Sequence, residues 1–505
     1  MKKFVVLSLI SFLVLAFGAI VYGQEKAPVL EFKASGWTSI ESHYKMNVSY
    51  PGSGDTNQNN FFGPAVATPF QPGGVAFDKK EAWWENRGRL KFDAILGKEM
   101  MGTFQFEFDS TRWGEIGKAR GQLGNWDADA AALEVKQLYM TFGMPWIPVP
   151  TTIQAGIVPI GVRPRFVFAN DGPGIKVAMK VDPATINLMY FKQYEGNDYA
   201  ADDDDVYGVD VNAKIQNLTA GVYALYFKLN NYPVPAAVSS TVDTKGYMWF
   251  GGVYVDGKVG PANLTFDFAL DNGKLEDHRN LAAAALAKDV KYMGWAARAD
   301  LSMPWEKFVF GLVGVYGSGA DAKKTSGSGV PNTIVGTGAA PYTALSSKVG
   351  AFALTPLDNN GPGDLFVING HPDFLRGDCG LYGAASGQMS RSMYGGLWYL
   401  KLSGAIPLTD MYKVYLGVGY IGDTTTNGNT IGNARKSDGR LRDDKSVGFE
   451  FDVLNQIQLY KNLTFDVGFG YLLAGKAVDY YTGVGTTNKS PKDPWILGTR
   501  LAYSF

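Results

Sequence analysis

Arg87, Arg89 and Lys91 occupy alternate positions of one segment, and Glu107 and Asp109 do the same in the next. Alternate residues of an extended chain share a face, so this spacing sets a row of positive charge beside a row of negative charge. Such a pair of rows can order dipolar or ionic solutes in a passage between them. It cannot line a dry core, where each unpaired ion would cost several kcal/mol. A second group, Arg163, Arg165 and Asp171, lies in the segment Pro159 to Gly174, where Pro159, Pro164 and Pro173 stiffen the chain and Gly161, Gly172 and Gly174 permit bends.

Other chemistries find less support. Gly417-Val418-Gly419-Tyr420-Ile421-Gly422 fits a dinucleotide fingerprint by letter, but it sits in an alternating apolar segment with no following helix. His43, His278 and His371 are scattered and belong to no metal-ligand pattern, and no Ser/His pairing suggests a hydrolase. The run Asp202-Asp203-Asp204-Asp205 lacks the alternating ligands and turn glycine of a calcium loop and reads as a solvated external loop, with cation bridging to lipopolysaccharide as the minor alternative. Cys379 is the only cysteine, which excludes an internal disulfide, and no CxxCH haem site occurs. The chain reads as a non-enzyme with no cofactor and no metal. With 47 Lys+Arg against 48 Asp+Glu it offers no basic surface for nucleic acid.

The elements that must hold these charges are strands. Gly88, Leu90, Phe92 and Ala94 alternate with the basic row, Phe104, Phe106 and Phe108 alternate with the acidic one, and the pattern recurs through Leu463/Phe465/Val467/Phe469/Tyr471. At the C-terminus Trp495, Leu497, Thr499, Leu501, Tyr503 and Phe505 share one face, which is the pattern of a lipid-facing strand. Tyr503 and Phe505 are then an assembly signal for the barrel-assembly machinery. About eighteen strands can be counted, with about sixteen as the alternative if the weak segments at 151 and 185 are not strands. Tight links such as Asp182-Pro183-Ala184, Gln216-Asn217, Gly260-Pro261 and Met303-Pro304-Trp305 alternate with long polar segments. That alternation predicts an all-β transmembrane antiparallel barrel with short periplasmic turns and long external loops. Trp83, Trp84, Trp146, Trp305, Tyr412 and Trp495 suit interfacial girdles. Tyr139, Tyr223 and Phe227 are expected to point inward. The Ala-rich stretches 127–133 and 280–287 read as short loop helices.

Lys2 and Lys3 precede an apolar run from Phe4 to Val21 with small residues at Gly18, Ala19 and Gly23, so residues 1–23 are expected to be a secretory signal and 24–505 a single barrel domain. Charged residues make up 19%, aromatics 13%, and no second long apolar run occurs, which excludes helical spans and leaves a barrel open.

Glu31-Phe32-Lys33-Ala34-Ser35-Gly36-Trp37, Arg87-Gly88-Arg89-Leu90-Lys91-Phe92-Asp93-Ala94, Phe106-Glu107-Phe108-Asp109 with Trp113-Gly114, and Glu134-Val135-Lys136-Gln137-Leu138-Tyr139 together resemble the outer-membrane homotrimeric porins of sulfate-reducing bacteria. The likeness covers about the first 180 residues, and the long segment Gly317 to Ser392 departs from it. The resemblance implies a trimeric general porin in the outer membrane, in contact with lipid and lipopolysaccharide, that passes small hydrophilic solutes. It also implies that the segment after the fifth strand, Pro159 to Gly174, folds inward and sets the pore width. Two alternatives stay open: a substrate-specific channel, which would need an aromatic track along the lumen, and a structural or electron-conduit barrel sheathing a partner protein.

Overall fold

The computed structural model describes residues 29–47, 80–109, 113–114, 133–164, 166–195, 203–230, 244–277, 290–321, 348–352, 364–370, 394–432, 434–481 and 487–505. The expected signal, the Ala-rich stretches 127–132 and 280–287, Asp202, His278, His371, Cys379 and most of the segment 317–392 lie outside these residues. Eighteen long strands follow one another: β1 (Leu30–Met46), β2 (Lys80–Leu96), β3 (Met100–Asp109), β4 (Leu133–Gly143), β5 (Thr151–Val162), β6 (Phe168–Val181), β7 (Ala184–Tyr194), β8 (Asp204–Ile215), β9 (Leu218–Leu229), β10 (Thr244–Val259), β11 (Ala262–Asp277), β12 (Trp295–Trp305), β13 (Phe308–Gly317), β14 (Leu397–Pro407), β15 (Tyr412–Asp423), β16 (Ser446–Tyr460), β17 (Leu463–Ala474) and β18 (Trp495–Ser504). The weak segments at 151 and 185 are strands, so the higher count holds. Short segments Val290–Tyr292 and Lys348–Val349 pair in parallel beside β11.

Each long strand pairs antiparallel with the next, and β18 pairs with β1 from Trp37↔Ser504 to Met46↔Trp495, which closes the barrel. Closure matters because a sheet edge in lipid would leave backbone groups unsatisfied. The last residue completes the seam: Phe505 exchanges both backbone hydrogen bonds with Gly36 at 3.0 Å. A Cβ on Gly36 would come within 2.8 Å of the Phe505 ring and 2.4 Å of the Arg89 carbonyl, so only glycine admits this contact.

The period-two pattern sorts the side chains as expected. Phe92, Phe104, Leu138, Val222, Leu270, Leu402 and Phe451 are exposed on the outer face, whereas Glu107, Asp267, Lys401 and Asp452 are buried on the inner one. Apolar outside and charged inside is the pattern of a barrel that crosses a bilayer. An aromatic girdle runs along the outer face through Tyr190, Tyr207, Tyr226 and Trp249, with successive ring centroids 5.4, 6.4 and 4.4 Å apart, and continues through Trp295 and Tyr316 at 4.8 Å and Trp398, Tyr420 and Phe449 at 5.5 and 4.7 Å. Trp83 is a correction: it is buried on the inner face, its ring stacked 4.7 Å from that of His43, and only its neighbour Trp84 faces outward.

Links at one end of the barrel are short, such as 182–183, 216–217 and 260–261, and most at the other are long. Met303-Pro304-Trp305 remains within β12, and the turn falls at 306–307, where Glu306 takes the positive φ of 52° that the reversal needs. The exception at the long-connection end is the link between β5 and β6, only residues 163–167.

Candidate functional site

The basic row and Glu107 face each other across the β2–β3 ladder, with Arg89 directly opposite Glu107. Arg87 Nε donates to Glu107 Oε1 at 2.6 Å and Arg89 Nε to Oε2 at 3.0 Å. Lys136 Nζ lies 3.0 Å from the same carboxylate and 3.1 Å from Asp171 on β6, which also accepts from Gln137 Nε2 at 2.7 Å. Lys91 pairs with Asp93 at 3.1 Å and keeps about a third of its side chain exposed. The side chain of Asp109 lies outside the described residues, although its backbone pairs opposite Arg87. Sequence reasoning named Arg87, Arg89, Glu107 and Asp171 and missed Lys136 that joins them. Strict alternation hid it: Gln137 is opposite Gln105 while Val135 is opposite Phe106, and Lys136 falls at the bulge between them.

Glu107 is fully buried and held by three cations, so its charge is paired within the wall. Around Glu107 and Asp171 three cations meet two carboxylates, and Glu134, which lies opposite Glu107 on the same face, brings the two signs level.

Pro159 to Gly174 is not the loop the sequence suggested. It is the outer part of the β5–β6 hairpin, paired as far as Val162↔Phe168. The hairpin leaves the wall, because the β4–β5 ladder ends at Leu138↔Ile157 and the β6–β7 ladder begins at Gly174↔Phe191. A glycine marks each departure. Gly156 has a φ of 132°, and a Cβ there would stand 2.3 Å from the Leu138 carbonyl; one on Gly174 would stand 2.5 Å from the Tyr190 carbonyl.

The tip crosses to the wall at β10 and β11. Arg163 donates to Asp256 of β10 at 2.5 and 2.9 Å and to Asp267 of β11 at 3.0 Å, and its guanidinium lies 4.2 Å from the Tyr254 ring centroid. Val158, Ile160, Val162, Phe166, Val167 and Phe168 are all buried along the way. Lys176 Nζ donates to the Pro159 carbonyl at 2.9 Å, fastening the hairpin over its own base. Arg165 lies outside the described residues. A cavity of about 440 Å³ remains beside the tip, lined by Gln154, Arg163, Lys176, Asn187, Asp210 and Tyr254 among others.

A second intrusion comes from the connection between β13 and β14. Its helical turn α1 (Phe366–Asn369) is buried in the barrel. Glu450 on β16 accepts from Val367 N at 2.5 Å and Ile368 N at 3.2 Å, and Asp452 accepts from Phe366 N at 3.3 Å. Lys401 on β14 lies 3.3 Å from Asp452 and donates to the Asp364 carbonyl. Arg298 on β12 and Tyr399 on β14 both donate to the Asp364 carboxylate, the hydroxyl at 2.6 Å. Burial alone would push that carboxyl up; Arg298, Tyr399 and Lys401 outweigh it and hold it below the ordinary carboxylate range. Sequence reasoning assigned none of these residues.

The two intrusions meet. Phe166 packs 6.3 Å from Phe352 and 5.1 Å from Tyr394, and Phe168, Phe191, Phe227 and Phe250 continue the cluster. Phe227 points inward as expected, and so do the buried Tyr139 and Tyr223. The cluster is packed, so it forms a septum across part of the lumen rather than an exposed aromatic track.

Elsewhere, Glu41, His43 and Glu85 bring ligand-type atoms within 4.8 Å of one another, with His43 Nε2 3.2 Å from Glu85. Tyr503 and Phe505 are about half exposed on the outer face, their rings 5.9 Å apart.

No protein-family model matches the sequence, and none of the curated proteins matches it. Among solved structures the chain is similar to Pseudomonas aeruginosa OccK8 (OprE), at 9% identity and a TM-score of 0.46 over 94% of this chain and 98% of that one. It is similar to OccK11 (OpdR) of the same organism, at 10% identity and 0.45 over 94% and 96%. A third is the Pseudomonas aeruginosa outer membrane protein opdK, at 9% identity and 0.44 over 94% and 99%.

Proposed function

We propose that this chain is an outer-membrane porin, a channel for passive diffusion of small hydrophilic solutes and ions. The observation that carries the reading is a closed barrel, apolar outside, whose interior holds a partly exposed basic wall beside an inward-folded hairpin. A lipid-spanning structural shell would need neither. Within this reading the Arg87/Arg89/Lys91 row and the Arg163 tip border the passage, with the tip at its narrowest level, and the field between cationic wall and carboxylates orients solutes in transit.

The resemblance of the first 180 or so residues to homotrimeric porins of sulfate-reducing bacteria supports a trimer in contact with outer-membrane lipid and lipopolysaccharide. Residues 1–23 would serve as the export signal, with long connections facing outward. Phe505 would be read by the barrel-assembly machinery. Deleting Phe505 should lower the amount of heat-modifiable barrel in the outer membrane without blocking export; an unchanged amount of folded barrel overturns that role.

A solute-selective channel is the second reading, favoured by the cavity of about 440 Å³ next to Arg163. Swelling of liposomes containing the purified protein, measured with sugars of graded size, tests both. Rates that fall smoothly with solute size support general diffusion. Uptake of one solute far above others of its size supports selectivity, and no swelling at all overturns the channel reading.

A further inference from the structure

Glu41 and His43 alternate on β1, so both lie on the inner face, and Glu85 on β2 stands directly opposite Glu41 in the ladder. Like charges directly opposite each other destabilise a sheet. These two carboxylates are also largely removed from water: the side chains of Glu41 and His43 are 2% and 1% exposed, and that of Glu85 is 15% exposed. Positive charge has to lie between them.

His43 occupies that place. Its Nε2 lies 3.2 Å from Glu85 Oε1 and 3.7 Å from Glu41 Oε2. The other oxygen of each carboxylate is turned away and held: Ser39 Oγ donates to Glu41 Oε1 at 2.7 Å, and Trp83 Nε1 donates to Glu85 Oε2 at 3.3 Å. The Trp83 ring, stacked on the imidazole at 4.7 Å and 16°, fixes the plane of the histidine. One oxygen from each glutamate and one ring nitrogen therefore converge, all within 4.8 Å of one another. Ligands about 2.0–2.2 Å from a tetrahedral zinc ion stand roughly 3.3–3.6 Å apart, and the two His43 distances bracket that range. Neighbours that tie down the second oxygen and hold the imidazole plane are the support such ligands need.

The charge count separates a bound ion from a protonated histidine. Along the inner face, Arg500 of β18 stands between Glu41 and Asp466 of β17, and Lys45 stands opposite Glu81. Arg87, the next inward residue of β2, is engaged by Glu107. Among the described residues of this stretch, the four carboxylates Glu41, Glu81, Glu85 and Asp466 face two fixed cations, Lys45 and Arg500. An imidazolium at His43 leaves the stretch one positive charge short. A neutral His43 together with a divalent cation brings it level.

We infer that Glu41, His43 and Glu85 form a binding site for a first-row divalent metal ion, with zinc as the best fit. An imidazole ligand favours zinc over magnesium and calcium, which take oxygen ligands. Three protein ligands leave a fourth position, and it falls on the side of Glu85, the member of the three that solvent reaches. An ion held there ties β1 to β2 beside the seam with β18, so it steadies the strand that closes the barrel. No local sequence pattern marks the site, because one co-ligand is two residues away on the same strand and the other lies across a ladder. The inference needs the closed barrel and is independent of what passes through it.

The test is calorimetric titration of untagged full-length protein, stripped with chelator and held in detergent, with zinc chloride. One zinc ion per chain is expected, bound in the micromolar range or tighter, and at least about tenfold more weakly by His43→Asn and by Glu85→Gln. Absence of binding to wild-type protein overturns the inference and leaves His43 as the positive partner of both glutamates. Undiminished binding to heat-modifiable H43N or E85Q protein also overturns it, since the ion then sits elsewhere. If the variants do not fold, X-ray absorption at the zinc edge of the wild-type protein decides. A single imidazole among oxygen ligands is expected; no imidazole, more than one, or any sulfur ligand counts against the site. Neither measurement reads transport, so failure of the channel reading is detected separately by the swelling experiment.

Discussion

Two pieces of chain enter this barrel, and they are held by different physics. The β5–β6 hairpin carries its own ladder to Val162↔Phe168, which satisfies the groups between its two strands wherever it goes, and its tip is anchored by Arg163 through Asp256 and Asp267. The turn Phe366–Asn369 brings no such ladder. Its first amide groups depend on Glu450 and Asp452, and its flank on Arg298, Tyr399 and Lys401. A satisfied element can be loosened at one point and stay in place. A borrowed one leaves orphaned donors and unpaired charge behind when its lenders go.

The largest expected effect therefore comes from the lenders. Replacing Glu450 by Gln together with Asp452 by Asn leaves the buried Lys401 ammonium without its carboxylate and weakens the hold on Val367 and Ile368. Removing one partner of a buried pair costs about 3–5 kcal/mol, enough to favour release of the turn from the lumen. Single-channel conductance of the double variant should rise several-fold, with larger sugars admitted. Wild-type conductance in folded protein would mean that the turn is held by packing of Leu365, Phe366 and Val367 instead.

The next effect belongs to Arg163→Gln. Charge-assisted hydrogen bonds are worth about 1.5–3 kcal/mol each, but the ladder and the Phe166/Phe168 packing remain. Conductance should increase, and by less than in the first variant. A larger increase would reverse the comparison and make the Arg163 anchor the principal hold on the septum.

The same contrast decides what could be read from the sequence. Period-two alternation is enough to count the eighteen strands, because a wall between lipid and a polar interior forces that pattern on every strand. The hairpin was half legible: prolines, glycines and Arg163 marked a special segment. Its paired strands looked like a loop because Pro159, Gly161, Gly172 and Pro173 are poor strand residues. The hinge at Gly156 drew no attention among 62 glycines. The turn was illegible. Its anchors, Arg298, Lys401, Glu450 and Asp452, are spread over three strands and alternate with apolar residues as any inward charge would. Nothing local tells a lender of hydrogen bonds from a charge facing water.

The smallest effect on conductance, and the most diagnostic for the basic wall, comes from changing Arg87, Arg89 and Lys91 together to Gln. Arg87 and Arg89 bond Glu107, Lys91 bonds Asp93, and Lys136 remains to link Glu107 with Asp171. The passage should keep its width to within about two-fold in conductance while its fixed charge becomes negative, since Lys136 alone then faces Glu107, Asp171, Asp93 and Glu134. Reversal potentials across a planar bilayer in a salt gradient should move toward cation preference. A conductance jump as large as that of the Glu450/Asp452 variant would show that the wall supports the septum as well as charging the passage, and the two intrusions would then share one scaffold. If the reversal potential does not move, the ions pass elsewhere, and the cavity beside Arg163 becomes the part of the lumen to probe.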